Sequence, residues 1–331
     1  MQTTPSLFDR WIARPKHRWV SLIAGAICIA APIVAAGLEG TLPWLAESGR
    51  WRGILVPPTI IAYILLVAPV LANMESRVFV SLRPLLDIDE TALRQLAEET
   101  GGVTPGKEMA AFAVGAVLAL ALNVQGVIVD YSWLELILLL EAVLMYGLLG
   151  VAIYASLAGT RVTSALLRLP LRIDPLDVTP LEAIGRQSLL LALVFVGGVT
   201  ISLLFAGFHP EILLQWEFYV IYVPLIIVPL LVFFLNMVPT HRCLQAVRDR
   251  ELRRVQSLIR RECSALVQRM EQGEEAAPVA QRLPALAAYE SRLLEARTWP
   301  YNTTMLRAAF VSVLIPGGTM ISRIVVELLQ R

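Results

Sequence analysis

Glu141 stands inside a long apolar run, WLELILLLEAVLMYGLLG, where a charged side chain is unexpected. It follows Trp133 by eight residues, which places it about 12 Å inward along a helix. An ionisable group at that depth in a bilayer is costly and is by default a candidate for a functional site. This carboxyl could bind a cation or exchange a proton. It could equally be a protonated group that bonds a neighbouring helix, and the sequence leaves both roles open.

Two amides precede Glu141 in the preceding apolar run, Asn123 and Gln125. The connection around Tyr131 is tight, so the two runs are predicted to be antiparallel neighbours. Folding the chain about Tyr131 brings Asn123 to within about 3 Å of the depth of Glu141. We therefore expect Asn123 to be the partner of Glu141, with Gln125 nearer the surface.

A third amide, Asn236, lies near the inner end of another apolar run, just before Pro239. Proline has no N–H to donate, so the Asn236 side chain could bond the backbone that Pro239 leaves open. Asn236 joins Glu141, Asn123 and Gln125 as the candidate permeation or ion site. Prolines inside membrane helices can mark ion sites, but a lone proline is more often a kink.

One five-residue pattern occurs three times: Asp or Asn, any residue, Thr, any residue, Leu. The copies begin at Asp89, Asp177 and Asn302, each ahead of an apolar or amphipathic segment. An Asp or Asn at the N-cap accepts a hydrogen bond from a helix N–H that has no other partner. We interpret the three residues as structural helix caps at the inner membrane surface. The alternative is a ring of three oxygen ligands that binds a cation at a cytoplasmic mouth.

Enzyme chemistry is poorly supported. The three histidines are not spaced to hold a metal, and the three cysteines form no recognisable pair. No HExxH, Walker, Rossmann or GxSxG pattern is present. We predict no catalytic residue, no metal site and no cofactor, and the sequence disfavours an enzyme.

The elements that would carry these residues follow from composition. The chain of 331 residues is 56% hydrophobic and only 17% charged, with a mean hydropathy of +0.66. Soluble domains are usually about 45–50% apolar and about 25% charged. A bilayer is crossed by about 20 apolar residues in a helix, because backbone groups in lipid must pair within the segment. The fold class predicted is all-α, a polytopic membrane protein.

Six apolar runs are long enough to span, and a seventh is interrupted. The six are Val20–Leu38, Ile54–Asn73, Met109–Val129, Trp133–Leu157, Ser188–Phe208 and Phe218–Val238. The seventh lies within 305–331 and contains Pro316, Gly317 and Gly318, a candidate broken helix. It could be a kinked span or a re-entrant segment.

Basic residues predict the orientation. They cluster at 1–18, in the connections 74–108 and 158–187, and after the sixth run, whereas the other side carries only Arg50 and Arg52. Positive residues stay in the cytoplasm, so the N-terminus is predicted to be cytoplasmic. The organisation expected is a cytoplasmic N-terminus at 1–18, a bundle at 19–240, a cytoplasmic arm at 241–304 and the broken segment at 305–331. The location expected is a plasma membrane, the bacterial inner membrane.

The arm combines an apolar stripe with dense positive charge. The stripe is Leu252, Val255, Ile259, Leu266 and Met270, and a second helix over Ala285–Arg297 returns the chain to the membrane. The basic residues are Arg248, Arg250, Arg253, Arg254, Arg260 and Arg261. We expect a coiled coil that makes a homo-oligomer, with anionic lipid or the connection after the fourth run as alternative partners. No nucleic-acid partner is predicted, because the arm has no interleaved aromatic residues.

Two function classes remain open. The first is an oligomeric channel or transporter for a small ion or solute, in which Glu141 faces the permeation path. The second is a membrane-anchored sensor or scaffold whose basic arm recruits a partner or anionic lipid. In both, the lipid bilayer is the constant partner.

Overall fold

The structure is a computed structural model, and it describes 18–48, 50–86, 104–129, 132–169, 173–206, 216–273 and 277–299. Single positions between 304 and 322 are also described. This part of the chain is 89% helical and contains no β-strand, in agreement with the all-α class predicted. The helices are α1 Arg18–Leu38, α2 Leu42–Ser48, α3 Trp51–Ile54, α4 Val56–Leu82, α5 Pro105–Val129, α6 Trp133–Leu166, α7 Thr179–Ala206, α8 Trp216–Glu271, α9 Ala277–Ala280 and α10 Leu283–Glu295.

Five of these helices are long and apolar enough to cross a membrane. Their apolar segments are Trp19–Leu38, Trp51–Leu71, Pro105–Asn123, Trp133–Leu166 and Thr179–Phe205. They coincide with the first five apolar runs of the sequence. The sixth run falls in the first part of α8 and is not among the five, so its crossing remains a prediction, as does that of the seventh.

Several helices are longer than their apolar runs. The run in α6 is expected to end at Leu157, but the helix continues to Leu166 and is about 51 Å long. No proline stands in the added turns, so the backbone stays helical past the end of the run. Helix α8 also extends beyond its apolar run: it has 56 residues and continues through Pro239 into the arm.

Helix α4 lies at the centre of the bundle, where it packs against α1, α6 and α7. Helix α8 packs against α7 and α6, and α5 packs along α6. The end of the bundle predicted to face the cytoplasm is named the inner end here, and the opposite end the outer end. At the inner end, a shared core joins α4, α6, α7 and α8 through Leu82, Leu166, Leu181 and Met237. At the outer end, Ala35 of α1, Leu45 of α2 and Leu134 of α6 form a smaller cluster.

Small residues let α5 and α6 approach until their backbones touch. A Cβ added to Gly115 would lie 2.1 Å from the carbonyl oxygen of Tyr146, and Ala119 on the same stripe is completely buried. From the α6 side, a Cβ on Gly150 would lie 2.4 Å from the carbonyl oxygen of Ala111. Ala111, Gly115 and Ala119, four residues apart, thus form a stripe of small residues along which the two helices pack closely.

A second close approach joins α4 to α7. The Tyr63 hydroxyl donates a hydrogen bond of 2.9 Å to the carbonyl oxygen of Val194. It fits into a notch made by Gly197, where an added Cβ would lie 2.4 Å from the Tyr63 hydroxyl oxygen. The polar end of a tyrosine in the bundle thus finds its partner on the neighbouring helix.

Tryptophans mark the outer end of the bundle. Trp44, Trp51 and Trp133 are 53%, 42% and 72% exposed, as expected of indoles at a membrane interface. Arg50 and Arg52, the two basic residues predicted on this side, lie over the rings of Trp44 and Trp51 at 5.2 and 5.3 Å. Cation–π contacts therefore hold both charges at the interface.

Candidate functional site

Glu141 lies in a stripe of apolar residues along one face of α6. Leu134, Leu138, Glu141 and Met145 follow one another at spacings of four, three and four residues, which is the spacing of one helix face. Leu134 and Leu138 belong to the outer cluster with α1 and α2. Met145 packs with Ile61 of α4 in the next cluster inward. Glu141 therefore occupies the boundary between two apolar clusters where α1, α4 and α6 meet.

The Glu141 side chain is sealed from solvent. Its residue is 5% exposed, and neither carboxyl oxygen has a hydrogen-bond partner within the described part of the chain. Cys28 of α1 lies within electrostatic range of it. No group of three His, Cys, Asp or Glu residues that could hold a metal exists among the described residues.

The expectation that Asn123 pairs with Glu141 is wrong. The Asn123 amide donates a hydrogen bond of 2.9 Å to the carbonyl oxygen of Ala119, one turn earlier on its own helix. Helix α5 packs on the face of α6 that carries Gly147 and Gly150. At about 100° per residue these lie roughly on the opposite face from Glu141. Depth along the helix was predicted correctly, but depth does not determine which face meets the neighbour.

The other two amides of the candidate site are Gln125 and Asn236. The side chains of Gln125 and Asn236 lie outside the described residues, although both positions are helical. Their proposed roles stay predictions.

Proline 32 is a residue of this site that the sequence reasoning missed. Pro32 lies inside α1 and is one of the most fully buried side chains of the protein. Proline has no N–H, so the carbonyl of Cys28, four residues earlier, lacks the hydrogen bond that residue 32 would otherwise donate. A proline in the middle of the first apolar run was the available signal.

Glu39 is a second missed residue, and it ties α1 to the start of α6. Its carboxylate accepts hydrogen bonds from the backbone N–H groups of Trp133 and Leu134, the latter at 3.3 Å. Ser132 completes the cap, because its hydroxyl oxygen accepts from the N–H of Glu135 at 3.1 Å. A carboxylate at a helix N-terminus is stabilising, so this contact orients the helix that carries Glu141.

A cleft of about 290 Å³ opens on the outer side of the same region. It lies between α1, α2 and α3, and its walls are almost wholly apolar. Pro32 and Ala36 form one wall, and Leu45, Trp51 and Ile54 lie opposite. An apolar chain fits such a lining, whereas a hydrated ion does not.

One of the three predicted caps, Asp177, lies within the described residues. The Asp177 carboxylate accepts a hydrogen bond of 3.0 Å from the N–H of Thr179, the first residue of α7. Hydrogen bonds from the hydroxyl and then the N–H of Thr179 lower the pKa of Asp177. This is a capping geometry, with the carboxylate one position earlier than the N-cap. Asp89 and Asn302 lie outside the described residues, as do Pro316 and Gly317 of the broken helix; Gly318 is helical and exposed.

The arm folds back on itself. Helix α10 packs antiparallel along the arm part of α8, where Val255 and Leu293 are 2% and 0% exposed. The Gln256 amide donates 2.9 Å to the Glu290 carboxylate across the same contact. The stripe expected to pair two copies is thus covered, in its first half, by the chain's own second helix. Leu258 is exposed beside this contact, and Val267 and Met270 are exposed beyond it.

The basic residues of the arm stay on its surface. Arg250, Arg253, Arg254, Arg260 and Arg261 are exposed. Arg248 is half-buried and pairs with Asp249 at 2.9 Å, while Arg254 reaches Glu251 at 3.7 Å. Helix α8 continues without a break from the sixth apolar run into the arm.

The returning chain is fastened at the base of the arm. The ring of Trp299 stacks on that of His241, with centroids 3.9 Å apart and planes 7° from parallel. Nδ1 of His241 lies 2.9 Å from the carbonyl oxygen of Thr298. A carbonyl only accepts, so Nδ1 carries the proton of that bond. Of the alternatives for the arm, folding back on the connection after the fourth run agrees with the packing of Val247 and Trp299 in the same apolar core as Leu169 and Ile173 of that connection.

Comparison with models of protein families, with curated proteins and with solved structures returns no match to this chain.

Proposed function

We propose that this protein is a membrane transporter for a small ion or solute, in which Glu141 carries a proton during the transport cycle. The observation that carries the proposal is the burial of both Glu141 oxygens, without a described partner, where three membrane helices meet. Ionisable groups in such positions are typical of proton relays in pumps and transporters.

The neighbours of Glu141 support a functional rather than a packing role. Leu138 and Met145, one turn away on either side, pack against the same helices. An apolar side chain at 141 would continue their stripe, whereas a carboxyl costs free energy to bury. The carboxyl is therefore the wrong choice for stability alone.

The closed bundle suggests how the proton would be exchanged. The cluster of Leu134 and Leu138 separates Glu141 from the outer side, and the cluster of Ile61 and Met145 separates it from the inner side. Opening one cluster at a time would expose the carboxyl to one aqueous side and then the other. Such alternating access requires α1 or α4 to move relative to α6.

The experiment is a flux measurement in liposomes that contain the purified full chain. An imposed pH gradient is expected to drive proton uptake, and Glu141→Gln is expected to abolish it. Glu135→Gln is the matched control, because Glu135 lies on the same helix at its outer end and is expected to leave flux unchanged. Equal flux for wild type and Glu141→Gln would remove this function, as would the absence of flux for a panel of ions and solutes.

The location proposed is a bacterial inner membrane, with the N-terminus and the arm in the cytoplasm. The charge asymmetry of the connections is the support for this orientation.

A second candidate is a membrane-anchored sensor or scaffold. The observation that favours it is the α8–α10 hairpin, which presents exposed arginines such as Arg253, Arg260 and Arg261. Such a face would take an acidic partner or anionic lipid. Val267 and Met270, which are exposed beyond α10, would serve a homo-oligomer.

The mass of the protein in detergent tests whether copies associate through the arm. Val267→Glu with Met270→Glu is expected to lower the mass if copies associate through the arm. An unchanged mass would show that the arm does not hold copies together. Binding of anionic vesicles can then be measured on variants of Arg253, Arg260 and Arg261.

A further inference from the structure

The outer clusters of the bundle determine how α1 and α6 are aligned. The two helices run antiparallel, and Ala35 and Leu134 belong to one apolar cluster. Seven residues back along α1 from Ala35 is Cys28, and seven forward along α6 from Leu134 is Glu141. Equal steps along antiparallel helices keep residues level, so Cys28 lies at the depth of Glu141.

A second cluster gives the same alignment. Ala24 lies four residues before Cys28, and Met145 lies four residues after Glu141. Ala24, Cys28 and Met145 all belong to the cluster that also contains Ile61 and Leu65, the one next to Glu141 on its inner side. The alignment thus holds over twelve residues of each helix, from Ala35 to Ala24 along α1 and from Leu134 to Met145 along α6.

The directions of the groups bring them together. Side chains of a helix tilt toward its N-terminus, which for Glu141 is the outer end of α6. Backbone carbonyls point toward the C-terminus of their helix, which for α1 is also the outer end. The Glu141 carboxyl and the Cys28 carbonyl therefore both reach toward the level of Pro32. The buried ring of Pro32 is what leaves this carbonyl without its N–H donor.

We propose that the Cys28 carbonyl and the Glu141 carboxyl form one proton-binding site, in which the protonated carboxyl donates its hydrogen bond to the oxygen that Pro32 leaves open. Binding adds a proton to a Glu141 oxygen and makes the O–H···O=C bond; release returns the proton to water and breaks that bond. The inference deepens the proposed function, since it names the group that holds Glu141 when it is loaded.

The ligand chemistry favours a proton over a metal cation. Hard metal ions take about six oxygen ligands. Glu141 is the one carboxyl at this level among the described residues, and the residues packed there, Ala24, Ile61, Leu65 and Met145, bring no side-chain oxygen. A single O–H donor needs one acceptor, and one is present.

Other titratable groups of the three helices are engaged elsewhere or lie at another depth. Tyr63 of α4 donates to Val194 of α7. Glu39 is held at the N-terminus of α6, and Glu135 lies in the first turn of that helix. The thiol of Cys28 is the one other titratable group at the level of Glu141 among the described residues, and the experiment treats it separately.

Infrared difference spectroscopy on the full chain in lipid tests the site. The carboxyl C=O band of Glu141 is identified as the band that wild type has and Glu141→Gln lacks. In Pro32→Ala the Cys28 carbonyl regains an N–H donor, so the Glu141 band is expected to move to higher frequency. Cys28→Ala removes the thiol and keeps the carbonyl, so the band is expected to stay in place.

A second measurement does not depend on a proline variant. Cysteine labelled with ¹³C at its carbonyl, in a chain that carries Cys243→Ser and Cys263→Ser, reports on the Cys28 carbonyl alone. Glu141→Leu is expected to raise the frequency of this amide band, because the donor is lost. An unmoved band in Pro32→Ala together with an unmoved label in Glu141→Leu would overturn the site. A shift in Cys28→Ala equal to that in Pro32→Ala would assign the partner to the thiol instead and overturn it as well.

These readouts are independent of transport. Shifted bands without proton flux would leave the site standing and remove the proposed function. Flux abolished by Glu141→Gln with unmoved bands would do the reverse.

Discussion

Which residue type a position of this bundle tolerates depends on how closely the neighbouring helix approaches it. Gly197 and Gly198 are neighbours on α7, yet they differ in what a side chain would meet. A Cβ on Gly197 would lie 2.4 Å from the Tyr63 hydroxyl oxygen, whereas one on Gly198 would lie 3.6 Å from the nearest ring carbon. The first distance is a clash and the second an ordinary contact.

We therefore expect Gly197→Ala to destabilise the protein by about 1–2 kcal/mol, because the Tyr63 hydroxyl must leave its bond to Val194. Gly198→Ala is the control and is expected to be near neutral. In a Tyr63→Phe background Gly197→Ala should cost little. Unfolding in mixed micelles measures all four variants, and an equal cost with and without the Tyr63 hydroxyl would contradict this explanation.

The capping carboxylate predicts a pH dependence. Hydrogen bonds from Thr179 lower the pKa of Asp177 below its ordinary value of 3.8. A lowered folded-state pKa means that the stabilisation is complete above that ordinary value and is lost as the pH falls through the lower folded value.

The difference in unfolding free energy between wild type and Asp177→Ala is expected to be constant at neutral pH and to shrink below about pH 3.8. Thr179→Val should move the loss to higher pH, because the hydroxyl is the larger cause of the lowered pKa. A difference that does not change on acidification would show that the Asp177 carboxylate is not the cap.

The positions of the helices along the chain were largely predictable, but the face that each helix turns toward its neighbours was not. The apolar runs located five membrane helices because a bilayer sets a minimum length for each. The small residues Ala111, Gly115 and Ala119, four apart in the sequence, lie on the α5 face that meets α6. Asn123, by contrast, was assigned by depth alone, and its amide bonds Ala119 instead. Rotation about the helix axis depends on packing with several neighbours, which no single segment encodes.

At this scale we expect Gly115→Ala to separate α5 from α6. Its Cβ would lie 2.1 Å from a backbone oxygen, which cannot move aside as a side chain can. The expected cost is about 1–3 kcal/mol, as for other overpacked sites. Gly106→Ala is the matched control on the same helix, since a Cβ there meets nothing within 4 Å. Equal stability of the two variants in detergent would show that the close contact does not form.

The described part of the chain consists of an apolar helical bundle and a polar helical arm, which α8 connects. The return helix was expected over Ala285–Arg297 and is found at Leu283–Glu295. That it covers the stripe of α8 was not predicted, because an apolar stripe does not reveal whether its partner belongs to the same chain. The orientation of the bundle is predicted from charge alone and is open to a direct measurement.

Cys263 in the arm is exposed, and Glu47 is exposed at the opposite end. In intact cells, a membrane-impermeant thiol reagent is expected to label Glu47→Cys in a Cys263→Ser background. Wild-type Cys263 is expected to react only after the membrane is opened. Labelling of both positions from the same side would overturn the orientation and the cytoplasmic position of the arm.

Helix α8 also has a mechanical consequence. From Val238 to Glu271 it extends about 50 Å beyond the predicted membrane boundary, as a single uninterrupted rod. If α8 tilted by about 5° about a pivot at that boundary, the end of the arm at Glu271 would move by about 4 Å. Small rearrangements around the bundle are thereby converted into a displacement that is large on the scale of a side chain, at the end where Val267 and Met270 are exposed.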